Sequence, residues 1–366
     1  MFSVIFSVTP WRAISAIQSV LCYIVVMDSR YVFVSDETNI HFNLALEKYL
    51  IEEFDPKSTI LFLWRNSPVV VIGRYQNPWE ECRLSAMEDR GVVLARRCSG
   101  GGAVYQDLGN ICFTIISPVN EGDKARNFKA VVEALDMMGI KAQVSGRNDV
   151  VVDGRKVSGS AFQTTKGRFC HHGTMLVSTD LSCLPNYLTP NKRKLESHGV
   201  RSVASRVANL VEFSPNATTE MFASCMEKAF EKEFCGSTNE SASEKCPTEH
   251  IGLEKTKAWP SLRQSFEMFS SRDWNLGKSP TFTDRFSGRF ELGCVTFYLV
   301  VKKGVVSEAS VSSDTLVSGG VERLEQEIVG LPYDAVRINE KANAVSDPFV
   351  SGALALLYSL MVQDSQ

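Results

Sequence analysis

The chain has 366 residues, 44% of them hydrophobic, which is enough for the cores of two ordinary domains. Its 39 Lys and Arg against 42 Asp and Glu leave a net charge of -3, which excludes an overall basic field that would hold nucleic acid by charge. Ten cysteines run from Cys22 to Cys294 with no C-x-x-C pair, which argues against a zinc site or a disulfide scaffold and reads as reduced thiols.

Residues 1–27 hold no acid, one Arg (Arg12), four serines and an apolar stretch from Ile14 to Met27. An organelle targeting segment is expected from this composition. Translation from Met27 and a signal or anchor are the competing readings, although Ser15, Gln18 and Ser19 interrupt a run already short for a membrane span. From Asn39 to Phe54 the spacing of Ile40, Leu44, Leu50 and Phe54 predicts a helix capped by Thr38 or Asn39. Ser58–Trp64 and Pro68–Gly73 are short β-rich runs around an Asn66-Ser67-Pro68 turn. A polar and aromatic loop, Arg74 to Trp79, leads to a second expected helix near Cys82–Arg90.

Asn127–Met138 is amphipathic and is closed by Gly139, a residue suited to the position after a helix end. Asp153-Gly154 then separates two β-capable runs and predicts a two-residue hairpin turn. In that register Val152 faces Arg155, Val151 faces Lys156 and Asp149 faces Ser158. Alternation then puts Asp149, Val151, Lys156 and Ser158 on one face, with Lys156 beside a carboxylate. HHGTMLV reads as a strand and Thr218–Phe234 as a helix. Residues 236–257 are polar and read as a surface loop. Past a boundary at Gly277-Lys278-Ser279-Pro280, a hairpin with its turn at Lys303-Gly304 and helices over Val321–Ile328 and Ser346–Met361 make a small α+β unit.

The stretch Arg96-Arg97-Cys98-Ser99-Gly100-Gly101-Gly102 joins two cations to three residues without Cβ. Backbone N–H groups there can converge on an anion, and an arginine can add a forked donor. Neither common phosphate fingerprint is matched, and a plain glycine turn is the competing reading. Lys156 alone reads first as a solvated charge after a hairpin turn, and its specific use would be as a point charge for a carboxylate or phosphate. His171 and His172 point to opposite faces of a strand, so a metal shared between them is not expected. Cys98 and Cys170 are nucleophile candidates without a Cys-His spacing.

The segments FLWRNSPVVVIGRYQNPWEEC, LARRCSGGGAVYQDLGNICFT, SGRNDVVVDGRKVSGSA, HHGTMLVSTDLSCLPNYLTPNKRKL and VRSVASRVANL resemble the lipoate–protein ligase A and mitochondrial lipoyltransferase family over most of residues 31–320. RDWNLGKSPTF and FELGCVTFYLVVKKG are similar to that family's small accessory domain. The resemblance implies an α/β (α+β) catalytic domain with a mixed sheet, of the kind shared with biotin–protein ligases, over 28–276. It also implies an accessory α+β domain over 284–366, while the mitochondrial targeting segment over 1–27 is expected from composition.

The implied chemistry is formation of lipoyl-AMP from lipoate and ATP, then attack by an acceptor lysine. The resemblance carries Arg97, Ser99, Gly100, Gly101, Gly102, Ala103, Val104, Tyr105, Asn148 and His172 to the adenylate or lipoate site. Lys156 goes to the acyl-phosphate oxygens, and Asp149 to a magnesium ion or the incoming lysine. No tightly bound metal is expected. Implied acceptors are lipoyl domains of 2-oxoacid dehydrogenase E2 proteins and the glycine-cleavage H protein. A monomer in the mitochondrial matrix, with no membrane or nucleic-acid partner, completes the expectation. Gln106 stands where the family often has His, which removes any proton charge there. A lipoyltransferase working through lipoyl-AMP is the leading expectation, with a complete ATP-dependent ligase and an octanoyl or biotin transferase of the same superfold as the alternatives. An octanoyl transferase working through a thioester would need a cysteine nucleophile.

Overall fold

A computed structural model describes residues 30–146, 148–189, 207–235, 246–277 and 282–364. The expected targeting segment, residues 190–206 and 236–245, and the expected boundary beyond Gly277 lie outside the described residues.

The strands in chain order are β1 (Arg30–Ser35), β2 (Thr59–Arg65), β3 (Val69–Ile72), β4 (Val93–Arg96), β5 (Val104–Gln106), β6 (Asn110–Pro118) and β7 (Gln143–Ser145). Then follow β8 (Asp149–Val152), β9 (Arg155–Thr165), β10 (Arg168–Leu176), β11 (Thr248–Ile251), β12 (Asp284–Phe290), β13 (Gly293–Lys302) and β14 (Val305–Ser313). Eight of them form one mixed sheet in the order β11-β1-β2-β6-β10-β9-β8-β7. Its β11-β1-β2 end is parallel and the remainder antiparallel.

The uninterrupted apolar run in β2 reflects burial on both faces. Leu61 and Leu63 enter a core with the Lys124–Met137 and Thr219–Phe234 helices. Ile60, Phe62 and Trp64 enter the opposite core, beneath the Ile40–Glu52 and Pro260–Ser270 helices. Asn39 caps the first of these helices, accepting from the N–H groups of His41 and Phe42. That helix ends at Glu52, so Phe54, expected on its face, lies just past it. The second expected helix is shorter than its pattern, Leu84–Glu88.

Both strands expected around the Asn66-Ser67-Pro68 turn form, and the turn passes the chain from β2 in the large sheet to β3 in a small one, β4-β3-β5. Asn66 is wholly buried and bonds Asn43 and Gln106, so this turn is a polar link in the core. One expectation changes. Within the span read as a polar loop, residues 246–257 supply the edge strand β11 and the start of a short helix.

The C-terminal unit is an antiparallel meander, β12-β13-β14, backed by helices Gly320–Ile328, Ala335–Ala344 and Pro348–Asp364. Lys303 (φ 53°) and Gly304 (φ 74°) make the expected turn. The middle helix was not apparent in the sequence, where only Ile338 and Ala342 carry its buried face. No helix among the described residues is long and apolar enough to cross a membrane.

Candidate functional site

The β8–β9 hairpin turns at Asp153 (φ 49°) and Gly154 (φ 75°), and Val152 faces Arg155 and Val151 faces Lys156, as the dipeptide predicts. A β-bulge then intervenes: Val150 faces Ser158 and Asp149 faces Gly159. Val157 is the extra residue. The expected pairing of Asp149 with Ser158 is therefore corrected, and Ser158 turns to the core face with Val150. The carboxylate and the lysine still meet, with Lys156 Nζ 2.7 Å from Asp149 Oδ1 and both side chains about one-third exposed. Gly159 leaves the space for this pair, because a Cβ there would sit 2.8 Å from Lys156 Nζ. Asn148 is tied to the ladder: its Nδ2 donates to Ser160 O at 2.9 Å, and Ser160 N donates to Asn148 O at 2.8 Å.

The registers of five strands align a lane across one face of the sheet. Trp64 faces Cys112, Cys112 faces Thr174, Thr174 faces Gly159, and Gly159 faces Asp149. A neighbouring row runs Phe62, Thr114, His172, Ala161. With strands about 4.8 Å apart, the lane from Trp64 to Asp149 spans about 19 Å. It is buried at Trp64 and partly open at the ion pair.

The glycine loop lies between β4 and β5 over this face, with Ala161 3.9 Å from where a Gly101 Cβ would stand. Its glycines answer to close packing. A Cβ on Gly73 would meet Gly101 O at 2.1 Å, and one on Gly100 would meet Thr315 O at 2.0 Å. Gly101 has φ 98°, and its N–H donates to Thr315 O of the C-terminal unit at 2.9 Å.

Neither arginine is the free fork expected from sequence. Arg97 Nη2 donates to Gly100 O (2.8 Å) and Gly102 O (2.9 Å), Nη1 to Val71 O (3.3 Å), and Nε to Ser99 Oγ (3.1 Å). Arg96 donates to the carbonyls of Gly73, Arg74, Gln76, Trp274 and Asn275. Burial pulls both guanidiniums down to about 10, still charged at neutral pH. They shape the loop through its carbonyls, where the sequence suggested they would face a ligand. The side chains of Ala103 and Tyr105 pack in the core under the small sheet, and Val104 packs against the opposite core, so this stretch can line a ligand chiefly through its backbone.

Ser99 roots the loop in the large sheet. Its Oγ is 2.7 Å from His172 Nε2, while His172 Nδ1 is 2.8 Å from Glu47 Oε1. Thr114 Oγ1 donates to the same Glu47 oxygen at 2.7 Å and accepts from Trp64 Nε1 at 3.2 Å. Glu47 was absent from the sequence reading. Its signal was an acid at helical spacing with Ile40, Leu44 and Ile51, on the face that is buried. Glu47, Cys170 and His172 bring possible metal-ligating atoms within 4.8 Å of one another. The Glu47 and His172 atoms are committed to each other, and burial raises the Cys170 thiol well above its ordinary range, so this is a hydrogen-bonded cluster rather than a thiolate ligand set.

His171 points the other way, as strand alternation requires. Its Nε2 lies 2.9 Å from Ser160 Oγ among Phe113, Phe128 and Phe162, and burial drives its pKa down to about 3. Burial likewise raises Cys98 to about 11. Gln106 accepts from Asn66 Nδ2 at 2.6 Å inside the protein, a neutral structural link.

Residues 39–231 match the lipoyl protein ligase A/B catalytic domain, and residues 279–353 match the bacterial lipoate protein ligase C-terminus. Lipoate-protein ligase A of Bdellovibrio bacteriovorus is 41% identical over 317 residues, 85% of this chain and 91% of its own. The crystal structure of P. falciparum LipL1 in complex with lipoate aligns with TM-score 0.77 and 31% identity over 92% of this chain and all of its own. A bipartite lipoate protein ligase of Thermoplasma acidophilum, described with its E2 lipoyl domain, aligns with TM-score 0.58 and 27% identity over 70% of this chain and 100% of that one. A lipoate-protein ligase A bound with ATP gives TM-score 0.56 and 26% identity over 69% and 99% of the two chains.

Proposed function

The chain belongs to the lipoyl protein ligase A/B family, and on that premise we propose that it transfers the lipoyl group of lipoyl-AMP to a lysine of a lipoyl domain or the glycine-cleavage H protein. The observation that carries the reading is the Asp149–Lys156 ion pair at the open end of the lane that begins at buried Trp64. An extended acyl chain laid along the lane brings its carboxyl end to the ammonium. Lys156 then stabilises the charge that collects on the acyl-phosphate oxygens as the acceptor amine attacks the carbonyl carbon and AMP departs. Asp149 accepts a hydrogen bond from the attacking amine and directs its lone pair. The acceptor proteins rest on the family resemblance and on the E2 lipoyl domain named with the Thermoplasma ligase.

Asp149 does not fit a resident magnesium ion. A single carboxylate oxygen 2.7 Å from an ammonium is a poor seat for a divalent cation, which favours several oxygen donors. Magnesium arriving with ATP is substrate, and no step here passes through Asp149-bound metal.

Complete ATP-dependent ligation is the second reading, supported by the ATP-bound relative. Purified protein with apo-H protein separates the two. Product from ATP, magnesium and lipoate supports the ligase, whereas product only from supplied lipoyl-AMP or a lipoylated donor supports the transferase. No lipoylated product under either condition overturns both. Desolvation raises the thiols of partly buried Cys98 and buried Cys170, which weighs against an octanoyl transferase using a thioester. Cys98→Ser and Cys170→Ser should retain lipoylation, and its abolition would reinstate that class. The acid-free residues 1–27 support a mitochondrial matrix location, tested by import of the full chain into isolated mitochondria with loss of the segment.

A further inference from the structure

On the face of the sheet covered by the Lys124–Met137 and Thr219–Phe234 helices, two cysteines meet. Cys235 caps the end of the Thr219–Phe234 helix, its N–H bonded to Glu231 O. Cys246, where the described chain resumes before β11, donates its N–H to Glu231 Oε1 at 3.2 Å. The two sulfurs are 2.8 Å apart. A disulfide bond needs about 2.05 Å, so joining them requires only a small movement. Cys235 is half-buried and Cys246 is buried, which leaves one sulfur open to a reagent and shields the other. Hydrogen bonding from Cys246, then the positive charge of Arg30, holds the Cys235 thiol below its usual range. By contrast, Cys98, Cys112 and Cys170 are held as thiols by burial.

We propose that Cys235 and Cys246 are a redox modification site, oxidised by a small-molecule disulfide of the glutathione class to an intrachain disulfide that ties the helix end to the β11 edge strand. The Cys235 thiolate attacks one sulfur of glutathione disulfide and displaces a glutathione thiolate. The Cys246 thiol gives its proton to that thiolate, and its sulfur attacks the Cys235 sulfur and expels the second glutathione thiolate, which takes a proton from water. Two protein thiols are oxidised while one glutathione disulfide becomes two thiols. The bond fastens β11, which forms the outer edge of the sheet beside β1, to a helix anchored in the core through Phe222, Met226, Phe230 and Phe234. It acts by restricting the unfolded chain and the opening of that edge.

The test equilibrates the full-length protein in oxidised and reduced glutathione mixtures, alkylates free thiols and maps peptides without reduction. A cross-linked peptide pair containing Cys235 and Cys246 is expected, together with a rise in melting temperature on the order of 5 °C that dithiothreitol reverses. Cys235→Ser and Cys246→Ser should each abolish both signals. Alkylation of both thiols after full oxidation, a stable glutathione adduct on Cys235, or a cross-link to another cysteine overturns the proposal. A 235–246 cross-link that leaves the melting temperature unchanged overturns the tie to β11.

Discussion

Glu47 and His172 meet at 2.8 Å through Oε1 and Nδ1, and this contact sets the direction of every proton in a buried chain. A proton on the ring nitrogen that faces Glu47, Nδ1, bonds the carboxylate oxygen and leaves Nε2 to accept from the Ser99 hydroxyl. Ser99 Oγ in turn accepts from Arg97 Nε, and Arg97 holds the carbonyls of Gly100 and Gly102. A carboxylate on the first helix thus orients the glycine loop through three intervening side chains.

Glu47→Ala should leave the His172 and Thr114 donors without an acceptor and cost about 1–3 kcal/mol of stability. The loop should lose its order, and kcat for lipoylation should fall more than KM rises. Glu47→Gln keeps an acceptor oxygen and should recover most of both, as measured by denaturant titration beside steady-state kinetics. Equal behaviour of the two variants would remove Glu47 from the chain.

Lys156→Ala should lower the transfer rate by roughly 100- to 1000-fold, about 3–4 kcal/mol of transition-state stabilisation, with little change in melting temperature because the side chain is partly solvent-exposed. Single-turnover transfer from lipoyl-AMP reads this directly. An unchanged rate would move the chemistry elsewhere.

Gly159→Ala tests the same point sterically. The new methyl group would crowd Lys156 Nζ, the free end of a flexible chain, so the lysine swings and the fold is kept. Loss of activity at near-native stability is expected. Stability falling in parallel with activity would instead mean that the strand itself resists the methyl group.

His171 predicts an acid-sensitive term. Its folded pKa of about 3 lies below the unfolded value near 6.5, so the unfolded chain binds more protons between these limits. The stability due to the neutral buried ring is present above pH 6.5 and is lost as pH falls towards 3, by a few kcal/mol at most. Denaturant titrations from pH 7 to pH 4 should show a flatter dependence for His171→Gln than for the native chain.

Much of this arrangement can be read from residue order. Asp153-Gly154 specifies its turn, Asn39 its cap, and the strand through His171-His172 sends its two rings to opposite cores. The bulge at Val157 has no compositional mark, since an extra valine between Lys156 and Ser158 looks like continued alternation. Arg96 and Arg97 deceive for a related reason. Their partners are main-chain carbonyls, which have no sequence letter, so an arginine beside glycines reads as an anion ligand until the loop is traced. Glu47 was legible as an acid on an apolar helix face, but its partners lie 67 and 125 residues away on other strands.

The Gly101 amide has another consequence. Its proton rests on Thr315 O, in a unit more than 200 residues downstream. Any anion that claims this N–H competes with the C-terminal unit for one donor, so the two equilibria are linked. Whatever factor the docked unit subtracts from the ligand's affinity, the bound ligand subtracts from docking. The C-terminal unit therefore acts, in thermodynamic terms, as a tethered competitor whose effective concentration is fixed by the chain.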